Sequence, residues 1–312
     1  MRITYVESSY MGRPRTRITL SCEYCNKEYE TIPAELRRRN RKYCSIECHY
    51  NFQMSHINQD FFSTPSSDMA YVLGLIVSDG CLSTKHQSKR EFISIKSIDK
   101  DLLEDVKQAM DSEYGVYFAG KTKSGNDVWR IDISNPKIVA DLKKLGVTER
   151  KTLVAKFPVE LPTEFHADFA RGLFDGDGHV GYYKYKNKGG ANTSITILGT
   201  YDVLARFPHI LGIKGSLKPY KTIWKFNITN HEELLKTYNV MYRDDNSLCL
   251  DRKKASFHEV FEWIELAISK PRYGTKKIAL ISELLTYGRR SAENRKLKKL
   301  AEEAKSANSA SV

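Results

Sequence analysis

The hydrophobic positions of the chain change period several times, and each change marks an element. Residues 68–79 are apolar on most sides, which predicts a buried helix with Ser67 or Asp68 capping its free N–H groups. Alternation over residues 92–96 predicts a first hairpin. Leu102, Leu103 and Val106 then lie on one face of a helix over residues 101–110. Strands at 117–119 and 128–133 flank a Lys-Ser-Gly-Asn turn, and a helix over 138–145 closes the series. A second series follows the connection that holds Pro158 and Pro162. It has strands near 181–185, 194–198 and 223–228, then helices over 232–238 and 257–268.

The two series are copies of one another. Leu73-Gly74-Leu75-Ile76-Val77-Ser78-Asp79-Gly80 matches Arg171-Gly172-Leu173-Phe174-Asp175-Gly176-Asp177-Gly178. Residues 129–135 match 224–230, and Glu149-Arg150-Lys151 matches Asp251-Arg252-Lys253. Three motifs in one order, offset by 95 to 102 residues, make the body an internal duplication. Each copy reads as α-β-β-α-β-β-α, so the expected class is α+β with two pseudo-symmetric repeats. Expected boundaries are 1–56 for a small front module, 57–67 for a linker, 68–157 and 158–268 for the repeats, and 269–312 for a basic helical tail.

The front module contains Cys22, Cys25, Cys44 and Cys48, spaced C-x2-C-x18-C-x3-C. Two thiolates per tight turn can converge on one tetrahedral Zn²⁺, and a segment this short needs such a staple to hold its shape. Disulfides are the weaker reading, because no apolar signal segment opens the chain. Cys81 and Cys249 are isolated, which predicts simple burial.

Charge narrows the class of partner. The 312 residues carry 50 Lys+Arg against 38 Asp+Glu, a net charge of +12. Residues 1–56 hold +4 and residues 270–312 hold +7, leaving the body close to neutral. Basic ends, including Arg37-Arg38-Arg39-Asn40-Arg41-Lys42, suit a polyanion such as double-stranded DNA. Candidate DNA contacts are Lys85, Lys89, Arg90, Lys96, Lys121, Lys123 and Arg130 in the first repeat. Lys184, Lys186, Lys188, Lys218, Lys221 and Lys225 are the candidates in the second. A one-residue register error would swap their faces, so pattern alone does not sort them. Trp129 and Trp224 are expected in the core. No run is long and apolar enough to span a bilayer, and a cytoplasmic location is expected.

The two apolar helices each end in Asp-Gly. Gly74/Ser78 and Gly172/Gly176 put small residues four apart, on one face of each helix. Packed side by side, the helices would bring Asp79 and Asp177 together at their negative ends, tolerable mainly with a divalent cation between them. Oxygen donors and few protein ligands fit Mg²⁺ (or Mn²⁺). An EF-hand counted from Asp175 fails, since Val180 and Lys186 stand where Gly and Glu are required.

With these residues in view, the chain resembles the LAGLIDADG homing endonucleases in their monomeric, two-repeat form, over about residues 68–268. The resemblance implies a saddle of two four-stranded sheets seated on DNA, with the paired helices at its centre. It implies that the last acid of each motif, Asp79 and Asp177, binds the catalytic metal. It also implies a basic residue near each acid, for which Lys151 and Lys253 are the best positional matches. The implied activity is Mg²⁺-dependent, site-specific cleavage of both DNA strands, leaving short 3′ overhangs and mobilising the enzyme's own gene. Val77 departs from the pattern, standing where the second motif has Asp175, and little catalytic effect is expected from it. The other reading is a non-cleaving nucleic-acid-binding protein, either an intron-splicing maturase, which alone would need RNA, or a transcription regulator. Loss of cleavage would usually remove one acid, and both are present. The ends of the chain do not suggest a self-splicing intein.

Overall fold

The computed structural model describes residues 2–6, 15–39, 41–84, 89–149, 153–184, 191–244, 247–269 and 275–290. Its chain divides into two units, one of residues 1–58 with 110–114 and one of the remainder.

The first unit has an antiparallel three-stranded sheet in the order β1 (Arg2–Val6), β2 (Arg15–Ser21), β3 (Glu28–Thr31), followed by α1 (Pro33–Arg39) and α2 (Ile46–Ser55). None of these strands stood out in the sequence, because polar and charged residues interrupt their alternation. Ser45 caps α2, its hydroxyl accepting from the Cys48 amide at 3.1 Å. Residues 110–114 join this unit through backbone bonds from Asn58 N to Met110 O and from Glu113 N to His56 O.

The second unit starts with α3 (Ser67–Asp79), then β4 (Gly80–Thr84), β5 (Glu91–Ser97), α4 (Lys100–Ala109), β6 (Val116–Lys121), β7 (Asp127–Ile133) and α5 (Pro136–Lys144). The cap of α3 is Ser66, one residue before the expected position, because Ser67 instead donates its hydroxyl to Asp168 at 2.9 Å. The repeat continues with α6 (His166–Asp177), β8 (Gly178–Lys184), β9 (Ala191–Gly199), the short α7 (Tyr201–Leu204) and α8 (Phe207–Leu211), β10 (Ser216–Tyr220), β11 (Ile223–Ile228) and α9 (His231–Met241). The sheets have matching antiparallel orders, β4-β5-β7-β6 and β8-β9-β11-β10. Both repeats are therefore α-β-β-α-β-β-α, with α7 and α8 standing for the single α4.

One face of each sheet is closed by helices. Ile93, Ile95, Ile131 and Ile133 face α4 and α5, whose Leu103, Val106, Ile138 and Leu142 are fully buried. In the second repeat Ile195, Ile197, Phe226 and Ile228 do the same work, and α10 (Asp251–Ile268) packs on β8 and β9. This helix begins six residues earlier than its apolar stripe suggested, since Asp251-Arg252-Lys253-Lys254 hides the first turn. A last helix, α11 (residues 275–290), buries Ile281 and Leu285, and Asn239 Nδ2 donates to its Leu284 carbonyl at 3.2 Å. The basic helical tail expected over residues 269–312 is thus, from 275 to 290, a helix within the second repeat's helical layer. The Arg295–Lys299 cluster lies outside the described residues. Among the described residues no helix is long and apolar enough to cross a membrane.

Candidate active site and nucleic-acid interface

The helix pair α3 and α6 sets the site. A methyl group on Gly172 would lie 2.0 Å from the Tyr71 carbonyl, one on Gly74 2.2 Å from that of Phe169, and one on Gly176 1.9 Å from Ser78 Oγ. Only glycine lets the backbones come this close. The neighbours advance together along both helices: Tyr71 with Gly172, Gly74 with Leu173, Ser78 with Gly176. The helices therefore run parallel and end together. Asp79 and Asp177 are the last residues of each, and both reach solvent. Asp79 Oδ2 would be 3.3 Å from a Cβ on Gly176, so its carboxylate lies against the last turn of α6.

Two acids at two helix C-termini concentrate negative potential, and Lys253 answers it. Its ammonium donates to the Phe174 carbonyl at 2.8 Å and to that of Gly176 at 3.0 Å, capping α6. Lys253 is only 8% exposed. Burial drives its amine down to about 8, against the pull of Asp175, Asp79 and Asp177, while Arg252 pushes the same way as burial. The structure thus brings Asp79, Asp177 and Lys253 into one electrostatic neighbourhood. Lys151 lies outside the described residues.

Asp175, which sequence reasoning set aside, is fully enclosed. It accepts from the Tyr71 hydroxyl at 2.8 Å, the Tyr242 hydroxyl at 3.2 Å and the Leu250 amide at 2.7 Å. Burial raises its carboxyl to about 6 despite these bonds. Its departure from Val77 was the signal that this position differs between the repeats. At the other end of the pair, Asp168 is buried between Arg171 at 2.7 Å and Arg243 at 2.5 Å. Arg171, with no exposed surface, also donates to the carbonyls of Met241 and Leu248.

The sheet faces away from the helices sort the candidate contacts. Strand register puts Lys96 opposite Arg130, and Lys218 opposite Lys225, on these helix-free faces. Arg130 stacks over the Tyr117 ring and donates its Nε to the Tyr117 hydroxyl, which is itself bonded to Asp132. Lys121 sits past a bulge at the end of β6, paired with Asp127 at 2.5 Å. Lys89, Arg90, Lys123 and Lys221 are exposed around the hairpin ends. Lys184 is placed over the rings of Tyr182 and Trp263 of α10, toward the helix side. Lys85, Lys186 and Lys188 lie outside the described residues. Selection by charge missed the neutral polar members of the second face, His179, Tyr183, Asn192, Ser194, Thr196 and Asn227, which strand alternation places together. Trp129 and Trp224 lie on the helix side, half-buried against Phe118 and Tyr201.

In the first unit the sulfurs of Cys22, Cys25, Cys44 and Cys48 lie within 4.8 Å of one another. The Cys25–Cys44 and Cys44–Cys48 separations are 3.6 and 3.4 Å. Two sulfurs sharing a tetrahedral ion at about 2.3 Å each stand slightly under 4 Å apart, so the cluster fits zinc. Burial works against ionising Cys22, yet the amides of Cys25, Cys44 and Tyr24 hold its thiol down to about 6, while the bond to Cys48, with burial, pushes Cys44 up to about 12. Arg41 is committed to this unit rather than offered to a partner: it bonds Glu35 and the carbonyls of Tyr43 and Cys44. Arg37 and Arg38 lie on the surface of α1. Cys249 is buried as expected, but Cys81 is exposed, because β4 turns it to the helix-free face.

Comparison with known proteins agrees with the first repeat. Residues 66–145 match the family model described as a LAGLIDADG-like domain. Among curated proteins, the chain is 29% identical over 116 residues to a subunit of the A-type ATP synthase of Methanopyrus kandleri, covering 37% of this chain and 10% of that one. It is 26% identical over 161 residues to an uncharacterized protein of Methanocaldococcus jannaschii, covering 49% and 57%. The chain thus spans between a tenth and just over half of these relatives. Similar solved structures include the LAGLIDADG meganuclease I-AabMI bound to uncleaved DNA, at 11% identity and TM-score 0.46 over 69% of this chain and 97% of that one. The homing endonuclease I-GzeII in complex with its DNA target is another, at 13% and 0.46 over 71% and 97%. Residues 66–145 of this chain are therefore a LAGLIDADG-like domain, and a second repeat of the same strand order follows it.

Proposed function

We propose that the protein is a site-specific endonuclease of the homing type that cuts both strands of a DNA duplex and leaves short 3′ overhangs. The observation that carries this reading is the parallel, glycine-seamed helix pair that ends in Asp79 and Asp177 beside the buried Lys253. Two solvent-facing carboxylates on negative helix ends fit a hard divalent cation, Mg²⁺ or Mn²⁺. Such an ion, when bound, supplies a Lewis acid for the phosphate and acidifies a water. Asp79 and Asp177 would hold it. Lys253, within the field of both acids, would offset negative charge that builds on the attacked phosphate. The helix-free faces would seat the duplex, with Lys96, Arg130, Lys218 and Lys225 on phosphates or base edges. One chain supplies both acids, so the active species is a monomer. Zinc in the four-cysteine cluster would be structural.

The test is cleavage of a plasmid library that includes uninterrupted versions of candidate host genes, in Mg²⁺, by wild type, Asp79→Asn and Asp177→Asn. Linear product at one sequence, lost in both variants with DNA binding retained, supports the reading. Salt-sensitive binding to a defined site without scission by wild type would move the protein to the non-cleaving, maturase or regulator class.

A further inference from the structure

The two repeats are not equivalent around their acids, and the difference lies in a group that touches neither metal nor phosphate in the reading above. Asp175 is in the last turn of α6, and its Oδ2 accepts both the Tyr71 hydroxyl and the Leu250 amide. Leu250 is the N-cap of α10, and it has no side-chain oxygen with which to fix that helix start. The carboxylate of Asp175, carried on another helix, bonds this residue directly and so anchors the entry to α10. Three residues on, Lys253 reaches back to the carbonyls of Phe174 and Gly176, which flank Asp175 in sequence. The anchor and the lysine thus close a ring between the end of α6 and the start of α10. Tyr242, which follows α9, donates to the remaining Oδ1 and locks the carboxylate in this orientation.

Resting on the nuclease reading for its catalytic consequence, we propose that Asp175 is a positioning residue for Lys253. It holds the first turn of α10 so that the Lys253 ammonium stays at the end of α6, beside Asp79 and Asp177. The first repeat has Val77 at this place, and a valine side chain can accept no hydrogen bond. The first repeat therefore lacks a carboxylate acceptor at this position. On a duplex, a pseudo-symmetric pair of repeats sets each repeat's groups nearer one of the two scissile phosphates. Loosening Lys253 should therefore slow one strand more than the other.

The role makes Asn and Val behave differently. In Asp175→Asn the amide oxygen can keep the Tyr71 and Leu250 bonds, while its NH₂ donates to the Tyr242 hydroxyl. In Asp175→Val all three are lost. Two measurements on the full chain decide the matter. The first is trace acylation by an amine-reactive ester, with peptide mapping of Lys253, well below the melting temperature. Wild type and Asp175→Asn should show Lys253 equally protected, and Asp175→Val should show it labelled at least about tenfold faster. The second is single-turnover cleavage with strand-specific labels. Asp175→Asn should cut within about threefold of wild type. Asp175→Val should accumulate nicked product, with one strand slowed by about 100-fold and DNA affinity unchanged.

If Asp175→Val does not fold, Asp175→Asn alone decides. Loss of cleavage by Asn with DNA binding intact would mean that the charge, not the anchor, matters, and would overturn the proposal. Unchanged Lys253 labelling in folded Asp175→Val would overturn it as well. A wild type that cuts no DNA would remove the nuclease reading, while the labelling result would still stand for or against the anchor.

Discussion

Lys253 and Asp175 show how burial tunes single groups at the end of the helix pair. Burial lowers the Lys253 amine to about 8, below its ordinary value, so the folded protein releases that proton more readily than the unfolded chain. Its contribution to stability is full above the ordinary lysine range and is lost as pH falls through about 8. Denaturant titrations between pH 7 and pH 10 should show stability rising with pH, and Lys253→Met should flatten that rise. The Asp168 ion pairs behave differently, because both Asp168 and Arg171 are buried with almost no exposed surface. Asp168→Ala leaves Arg171 as an uncompensated buried charge, a loss of about 3–5 kcal/mol. A smaller loss in urea unfolding would mean that water reaches the guanidinium. At this scale the duplication paired Asp79 with Asp177, while the resemblance to the LAGLIDADG family pointed to Lys253. The sequence marked Asp175 only as differing from Val77 and gave no reason to single out Tyr71 or Tyr242; the roles of all three depend on distant segments meeting.

Among elements, the α3–α6 pair is the most constrained. Gly74→Ala or Gly172→Ala pushes a methyl group into a carbonyl of the facing helix, not into a flexible side chain. Each should cost about 1–3 kcal/mol or more by overpacking, and should spread Asp79 from Asp177. A Gly172→Ala protein with wild-type stability and full activity would contradict this account of the seam. The helix of residues 275–290 offers a second case. Leu285 is 3% exposed against the second repeat, so Leu285→Ala should destabilise by about 2–5 kcal/mol. Unchanged unfolding would show that the helix is dispensable. Helical periodicity marked this element in the sequence through Ile278, Ile281, Leu284 and Leu285. What it docks on was invisible, because an amphipathic stripe names no partner. The short α7 and α8, and the start of α10, were missed where charged residues mask a brief apolar pattern.

For the whole molecule, two units imply two sources of stability. Among the described residues the first has four cysteines and few buried apolar side chains, whereas the second has a core under each sheet. Chelation of zinc should unfold the first unit and leave the main calorimetric transition of the second in place. A single transition that shifts as a whole on chelation would refute independent folding. The sequence by itself determined the duplication, the helix, sheet, helix grammar of each repeat, the paired acids and the cysteine cluster. All of these are written in local period and spacing, which short-range sterics and side-chain burial impose. Only the tertiary structure decided that the two motif helices run parallel with their acids at one end, and that α11 belongs to the second repeat. It alone decided which basic residues share a sheet face and that Asp175 anchors the turn bearing Lys253. Those outcomes rest on strand register and on contacts between residues about 45 to 105 positions apart. A linear pattern does not encode such contacts; they form when buried backbone and carboxylate groups must find partners away from water.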